Sequence, residues 1–438
     1  MSSGQNRFVI MLGFPVLVER VTDMTDSTFV EADPKSLGLD PKRLNQIKPA
    51  MQAYIDDQRV PNIVTLVARK GQIALLNAQG YMDLDSKKSV TTDSLFRMYS
   101  NTKPIAGVAT CILYERGILT PDDPVSKFLP EFADITVQKP NEPLLTETPK
   151  RPITIRDLLT NTTGFYSPQN IPNFFRQQYR ETLENSGWIT PKDSEKSKPS
   201  PRDRVRALAQ LPLASHPGER FVYHIGYPVL TEVLTAASGQ NMQDFFHENI
   251  FEPLQMLSSS FYVNSEHADR LTTCYVPQEY DGKIALAVAD KPETSEKTLG
   301  TGEYCIGGST GGILTTAQDY GRFGQMLLNG GHLDGNQIIS RKTVAMMIGN
   351  HTGDMLIPMT GPGFHWGLGV AMYHGRDRYP LIRSAGTYGW GGAAGTTYFA
   401  DPTEELMGVC LTQVLNAGAM PNNTYQEEFQ RLVYQSLA

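Results

Sequence analysis

Two β-rich segments lie at opposite ends of the sequence, and their separation restricts the possible folds more than any other feature. Near the start, Asn62–Asp83 reads NIVTLVARKGQIALLNAQGYMD, two apolar runs around a Lys-Gly turn that predict a β-hairpin. Near the end, Thr396–Val414 reads TTYFADPTEELMGVCLTQV, two more runs around an Asp-Pro turn. Helical patterns dominate between them. We therefore predict one sheet built from both ends of the chain, with a helical region inserted.

The length and composition describe an ordinary globular protein with a large core. The chain has 438 residues, of which 40% are hydrophobic and 19% are charged. We predict an N-terminal extension over residues 1–30, an α/β domain from residues 31–105 and 300–438, and a mainly helical domain over residues 106–299. Within the helical domain, long polar surface loops are expected at Gln138–Arg151 and Thr190–Asp203.

The net charge argues against two classes of partner, and the cysteine pattern argues against disulfide bonds. A formal charge of −7 argues against nucleic acid and against anionic membrane surfaces. The four cysteines are scattered, without CxxC spacing, and three of them lie among apolar or small residues. Buried free thiols are therefore expected rather than a disulfide framework. The sequence alone leaves the oligomeric state undetermined.

The N-terminal segment allows two interpretations of where the protein resides. Phe8–Val18, FVIMLGFPVLV, is long enough for the core of a signal peptide and too short to span a bilayer. It lacks an Ala-x-Ala cleavage site and has one preceding positive charge, so we expect a cytoplasmic protein. A secreted or periplasmic protein is the alternative if this segment is a leader. No membrane span is expected elsewhere in the chain.

The segment FRMYSNTKPIAG, Phe96–Gly107, contains the first candidate for catalysis. Ser100 and Lys103 are three residues apart, a spacing that places two side chains on one face of a helix. A serine hydroxyl is a poor nucleophile unless a proton acceptor lies within hydrogen-bond reach. Pro104 indicates that the regular helix begins near this point, so Ser100 would lie at its N-terminal end, where developing negative charge is stabilised.

Two further segments contain residues that suit the same chemistry. Tyr223 follows a Pro-Gly turn and precedes an apolar helical run; beside a lysine ammonium its pKa would fall, allowing it to accept a proton. Trp390, Gly391 and Gly392 lead into the C-terminal strands. Small residues there would let backbone N–H groups approach a ligand closely, as an oxyanion hole requires.

These motifs resemble the serine β-lactamase and penicillin-binding-protein superfamily, and more specifically the family VIII carboxylesterases related to class C β-lactamases. The resemblance covers the chain from about Leu39 onward, including PGERFVY and GGSTGGILTTAQDYGRFGQMLLNGG. It implies an α/β plus all-α, serine β-lactamase-like fold, in which a central antiparallel sheet is flanked by helices and carries an inserted helical lobe. This agrees with the sheet predicted from the two ends of the chain.

The resemblance also implies a role for each motif residue. Ser100 would be the acylated nucleophile, Lys103 its activating partner and Tyr223 the general base and acid. The backbone N–H groups of Ser100 and Ala393 would form the oxyanion hole. The triplet Trp390, Gly391 and Gly392 would bind substrate, where β-lactamases have lysine, threonine and glycine. Whether lysine or tyrosine is the primary base stays open.

Departures from the β-lactamase pattern favour an esterase. Trp390 replaces the lysine that holds a lactam carboxylate, and Ile225 replaces an asparagine amide. A charged group left without its partner is costly, whereas an indole suits an uncharged ester. We therefore expect hydrolysis of a small-molecule carboxylic ester with a short acyl chain. The alternatives are acyl transfer from the same acyl-enzyme, β-lactamase or D-amino-acid peptidase activity, and a non-catalytic binding or assembly protein.

Other motif-like segments receive structural interpretations. Gly307–Gly311 contains Ser309 in a G-x-S-x-G pattern, but it lies in a glycine-rich segment that matches the superfamily. His247–Phe251, HENIF, lacks the second histidine of a zinc motif, and no phosphate-binding loop is present. No metal or cofactor is expected. His224 is expected to face solvent, and Asn161 to be structural.

Overall fold

A computed structural model describes residues 28–139, 142–166, 200–223, 225–263, 265–299, 306, 311–375 and 382–438. Phe8–Val18, His224, Cys305 and Ser309, about which the sequence made predictions, lie outside these ranges. Cys111, Cys274 and Cys410 are buried free thiols, as predicted. Among the described residues, no helix combines the length and apolar character needed to cross a bilayer.

The strands form one large sheet and several small pairs. In chain order they are β1 (Asn62–Arg69), β2 (Gln72–Asp83), β3 (Lys88–Ser89), β4 (Phe96–Arg97), β5 (Val137–Lys139), β6 (Glu142–Glu147), β7 (Cys274–Tyr280), β8 (Lys283–Asp290), β9 (Leu314–Thr315), β10 (His332–Leu333), β11 (Asn336–Gln337), β12 (Phe364–Trp366), β13 (Ala371–Tyr373), β14 (Tyr388–Gly391), β15 (Thr397–Asp401) and β16 (Leu406–Leu411). The large sheet is antiparallel and has the order β12-β13-β14-β15-β16-β1-β2-β3.

The helices surround this sheet and form the inserted lobe. In chain order they are α1 (Pro41–Leu44), α2 (Ile47–Asp56), α3 (Thr102–Glu115), α4 (Ile155–Thr160), α5 (Pro201–Ala209), α6 (Gly226–Ser238), α7 (Met242–Phe246), α8 (Glu296–Leu299), α9 (Ala317–Leu328), α10 (Arg341–Met347) and α11 (Tyr425–Gln435). A π-helical turn, His247–Phe251, follows α7 directly.

The two ends of the chain meet at the centre of the sheet, which confirms the predicted arrangement. β1 pairs with β16 in an antiparallel ladder that places Val64 opposite Leu411 and Arg69 opposite Leu406. Both strands are almost continuously apolar because both faces of the sheet are covered. On one face β1 joins the core cluster that contains α9, and on the other the cluster that contains α2 and α11. The fold is therefore a central antiparallel sheet flanked by helices.

The inserted region packs around α6. This helix contacts α3, α4, α5 and α7, and most of its N-terminal half is buried. α3 is buried along nearly its whole length, from Thr102 to Leu113. A helix that is apolar on all sides must lie inside the protein. The N-terminal ends of α3 and α6 consequently lie in the interior, and both candidate motifs are found there.

The polar segment Gln138–Arg151 is not the loop predicted from its composition. It contributes to the β5–β6 hairpin, in which Val137 is opposite Glu147. Val137 is buried, and a parallel bridge joins it to Leu213. Pairing with a segment distant in sequence therefore outweighs the polar composition. The described part of Thr190–Asp203 contains the start of α5, where the Ser200 side chain caps the helix.

Candidate active site

Ser100 lies in a strained turn between β4 and α3. The turn Tyr99–Asn101 is a 3-10 helix, and Tyr99 has φ = +46°, a left-handed conformation that is strained for a non-glycine residue. The Tyr99 N–H donates to the Gly311 carbonyl at 2.7 Å. A Cβ built on Gly312 would lie 2.1 Å from Thr102 Oγ1, so a larger residue there would push the turn away. The surrounding backbone thus fixes the position of Ser100.

Lys103 is fully buried in the first turn of α3, with its ammonium group at the serine. Lys103 Nζ lies 2.9 Å from Ser100 Oγ. The same nitrogen lies 4.7 Å from the ring centroid of Tyr223 and 4.7 Å from that of Tyr227. The faces of aromatic rings attract cations, so both rings are placed to interact with the Lys103 ammonium group. The pair predicted from the three-residue spacing is therefore in direct contact.

The hydroxyl of Tyr223 belongs to the same cluster. It is hydrogen bonded to Ser100, and Trp390 Nε1 donates to it at 2.7 Å. Burial raises the pKa of Tyr223 well above its ordinary value, while the hydrogen bonds from Ser100 and Trp390 act in the opposite direction. The expectation of a lowered pKa was wrong, because removal of the phenol from water outweighs the hydrogen bonds from Ser100 and Trp390.

The segment after Trp390 closely approaches the backbone that leads into Ser100. The Gly392 N–H donates to the Thr396 carbonyl at 2.7 Å. A Cβ built on Gly392 would lie only 2.4 Å from the Met98 carbonyl oxygen. Ser100 and Ala393 line the same cleft, and their N–H groups remain the predicted oxyanion hole. Glycine is required at position 392 for this approach.

Replacing Gly392 with alanine should therefore damage catalysis more than stability. The added methyl group would displace Ala393 from Ser100, and we expect kcat for a nitrophenyl ester to fall about 100-fold, as when one oxyanion donor is lost. Steady-state kinetics together with a thermal melt would measure both effects. Gly418→Ala is a matched control, since no atom lies within 4 Å of its added Cβ. Equal kcat values for the two variants would contradict this role of the turn.

Ser100 and Tyr223 open onto a cleft of about 500 Å³. Its lining combines apolar residues, which include Met359, Phe364 and Ala371, with polar ones. The polar lining includes Arg383, Thr387, Thr397, Gln426, Glu427 and Gln430.

Several aromatic residues next to Ser100, Lys103 and Tyr223 were not identified from the sequence. Trp366 packs edge to face against Trp390, with ring centroids 4.4 Å apart, and Phe221 stacks near Tyr223 at 6.5 Å. The sequence gives one signal for Tyr227, which is its spacing of four residues after Tyr223. This spacing would place both side chains on one face of a helix, but α6 begins only at Gly226, after Tyr223. Trp366 belongs to no motif, so no sequence signal indicates its position.

Ile225 and Asn161, two further residues that the sequence analysis singled out, flank the segment that carries Tyr223. Ile225 is buried in the apolar core at the start of α6. Asn161 ends α4 in a left-handed conformation, with φ = +59°, and its carbonyl accepts from the Val222 N–H at 2.7 Å. Asn161 therefore helps to place the segment that carries Tyr223, in keeping with the predicted structural role. Within the described ranges, no group of three His, Cys, Asp or Glu residues is placed to hold a metal.

A half-buried serine beside a buried lysine at the start of a central helix, met by a tyrosine from the inserted lobe, is the arrangement expected of a β-lactamase-like protein. The model of the Beta-lactamase family matches residues 47–430, so the chain belongs to that family. This confirms the superfamily that the sequence motifs indicated.

The chain is similar to Esterase EstB of Burkholderia gladioli, with 26% identity over 412 residues, covering 89% of this chain and 96% of the esterase. It is also similar to Protein Rv1367c of Mycobacterium tuberculosis, with 29% identity over 399 residues, covering 85% and 94%. Among solved structures, EstCE1, a hydrolase with promiscuous acyltransferase activity, has a TM-score of 0.73 and 25% identity, covering 90% and 99%.

Proposed function

We propose that this protein hydrolyses carboxylic esters with short acyl chains through an acyl-enzyme on Ser100. The observation that carries the proposal is the contact of Lys103 Nζ with Ser100 Oγ at 2.9 Å, with the Tyr223 hydroxyl bonded to the same serine. A hydroxyl between two proton-transfer groups is the arrangement that an activated nucleophile requires. The similarity to Esterase EstB supports the ester as the substrate class.

Lys103 and Tyr223 act as one proton acceptor in the proposed acylation step. When the pair holds one proton fewer than its fully protonated form, it accepts the Ser100 proton as Oγ forms a bond to the ester carbonyl carbon. The carbonyl oxygen becomes an oxyanion and is bound by the N–H groups of Ser100 and Ala393. The carbon–oxygen bond to the alcohol then breaks, and Tyr223 donates a proton to the leaving oxygen.

Deacylation repeats this chemistry with water. The pair takes a proton from a water molecule as its oxygen attacks the acyl carbonyl carbon. The bond between that carbon and Ser100 Oγ breaks, and the proton returns to Oγ. The carboxylic acid leaves, and the site is restored to its starting protonation state.

The lining of the cleft favours an ester over a β-lactam. At the position where β-lactamases hold a carboxylate with lysine, Trp390 presents an indole whose N–H is already bonded to Tyr223. Ile225, at the position of the asparagine, is buried in the apolar core, and its side chain cannot hydrogen-bond to a lactam amide. A charged lactam carboxylate beside Trp390 would lose hydration without gaining the ammonium partner that a lysine provides, which costs binding energy. An uncharged acyl group does not carry this penalty.

We therefore expect nitrophenyl acetate and butyrate to react at least about 100-fold faster than nitrocefin, in terms of kcat/KM, if one unpaired charge costs about 3 kcal/mol. Nitrophenyl decanoate should be slower than butyrate, because Trp390 narrows the cleft. Spectrophotometric assays of all four compounds, with one enzyme preparation, would make the comparison. A higher kcat/KM for nitrocefin would contradict the ester assignment.

Acyl transfer is the second candidate, and one comparison favours it. EstCE1 is described as a hydrolase with promiscuous acyltransferase activity. The same acyl-enzyme would then pass its acyl group to an alcohol instead of water. Adding a primary alcohol to the nitrophenyl acetate assay tests this candidate, since transfer produces a new ester that chromatography detects. Free acid as the sole product, at every alcohol concentration, would exclude it.

A further inference from the structure

We propose that Tyr227, Trp366 and Trp390 are positioning residues, which we call the aromatic scaffold. They hold Lys103 and Tyr223 in place for proton transfer, and they act on Ser100 only through these two residues. This inference rests on the proposed function. The inference extends the proposed function by assigning a role to Tyr227 and Trp366, which lie outside the sequence motifs, and a second role to Trp390.

Tyr227 positions the lysine. Both side chains are fully buried, and Lys103 Nζ lies 4.7 Å from the centroid of the Tyr227 ring. The Tyr227 hydroxyl donates to the Leu159 carbonyl at 2.8 Å. This bond fixes the ring at its far end, so the face towards the ammonium group keeps a constant position. The interaction of a cation with a ring face is strongest where water is excluded.

Trp390 positions the tyrosine. Its Nε1–H donates to the Tyr223 hydroxyl at 2.7 Å, which stabilises negative charge on that oxygen without adding a cation. Trp366 supports Trp390 by edge-to-face packing at 4.4 Å and an interplanar angle of 83°. Trp366 Nε1 donates in turn to the Leu159 carbonyl at 2.9 Å.

One carbonyl therefore anchors both arms of the scaffold. Leu159 lies in the last turn of α4, where helix carbonyls have no partner within the helix. Its two lone pairs accept from Tyr227 and Trp366. A displacement of α4 would thus change the surroundings of Lys103 and Tyr223 together. This shared anchor is what distinguishes a positioning network from separate packing contacts.

The rate of reaction of Ser100 with a fluorophosphonate tests the proposal, because it reports activation of the serine without requiring an ester-shaped pocket. Trp390→Phe keeps an aromatic ring and removes the N–H donor, so we expect the second-order labelling rate constant to fall about tenfold. Tyr54→Phe is the matched control. It also removes a hydrogen bond from a largely buried aromatic residue, to Glu428 at 2.8 Å, but lies in α2 away from the site. Its rate should equal that of the wild type.

A double-mutant cycle separates positioning from simple packing. In a Tyr223→Phe background the Trp390 N–H has no hydroxyl to which it can donate. Adding Trp390→Phe to this background should therefore change the remaining labelling rate by less than about twofold. A tenfold loss in both backgrounds would show that Trp390 acts independently of Tyr223, and would overturn its assigned role.

Two substitutions at Tyr227 test the other arm. Tyr227→Phe keeps the ring face but loses the hydroxyl that bonds to the Leu159 carbonyl and to Trp366, so the labelling rate should fall about threefold. Tyr227→Leu removes the ring and should lower the rate at least about tenfold. Equal losses in both variants, with native near-ultraviolet circular dichroism, would overturn the proposal that the ring holds Lys103.

The same measurements distinguish the scaffold from the proposed function. If the wild-type protein reacts at Ser100 and every scaffold variant reacts at the wild-type rate, the scaffold inference is wrong and the hydrolase proposal stands. If the folded wild-type protein does not react at Ser100, both proposals are overturned.

Discussion

Replacing Ser100 with alanine should abolish ester hydrolysis and leave the fold intact. The substitution removes the oxygen to which the acyl group would bind, and losing a serine nucleophile lowers kcat by about 10⁴-fold or more. The side chain is half-buried and lies beside the cleft, so its removal leaves no large cavity in the core. Nitrophenyl butyrate kinetics and a thermal melt measure the two expectations separately.

Ser309→Ala provides the matched control for this experiment. Ser309 is the other serine in a nucleophile-like motif, G-x-S-x-G, and it should be dispensable for the covalent step. Mass spectrometry after fluorophosphonate treatment should find the adduct on the Ser100 peptide in the wild type and in Ser309→Ala. An adduct on Ser309, or activity that survives in Ser100→Ala, would reverse the assignment of the nucleophile.

Replacing Lys103 with methionine should have the second-largest effect on activity. Loss of a proton-transfer group typically costs between 10² and 10⁴ in rate, and we expect about 10³ here because Lys103 also holds the serine oxygen. Stability should stay equal or rise, because an apolar side chain of similar size replaces a charge in a fully buried position. The measurements are kcat for nitrophenyl butyrate and the midpoint of urea unfolding.

Lys297→Met is the contrasting variant, because Lys297 is also buried but its ammonium group bonds to backbone carbonyls. Its Nζ donates to the Phe261 carbonyl at 2.8 Å and also to the Gly312 carbonyl. Removing the donor leaves buried acceptors unsatisfied, so we expect a loss of about 1–3 kcal/mol in the free energy of unfolding. Activity should fall far less than in Lys103→Met. The reverse pattern, a stable inactive Lys297 variant and an active Lys103 variant, would contradict both roles.

The features that the sequence predicted well depend on short-range geometry or on strong apolar patterns. Ser100 and Lys103 meet because a three-residue spacing at the start of a helix determines the contact locally. β1 and β16 were recognisable because burial on both faces requires nearly continuous apolar residues. The placement of both segments in one sheet followed from their apolar character and the helical patterns between them.

The features that the sequence did not predict depend on contacts between distant segments. The pKa of Tyr223 rises rather than falls because packing removes the phenol from water, and no local pattern reports that burial. Trp366, in β12, packs against Trp390, although the sequence around Trp366 resembles no catalytic motif. Val137 pairs with Glu147 in the β5–β6 hairpin and also bridges to Leu213. Trp390 lies 167 residues from Tyr223, and Leu159 lies 207 residues from Trp366, beyond the range of propensity or periodicity.

The pairing of β1 with β16 also affects how the protein is made. Val64 emerges from the ribosome long before its partner Leu411 is synthesised. The strand that carries Trp390 joins the sheet through β15 and β16, so it too is held in place only late. Pairings over such long separations form slowly. We therefore expect the nascent polypeptide to remain inert towards esters until β15 and β16 are incorporated, which ties the onset of catalysis to the synthesis of these strands.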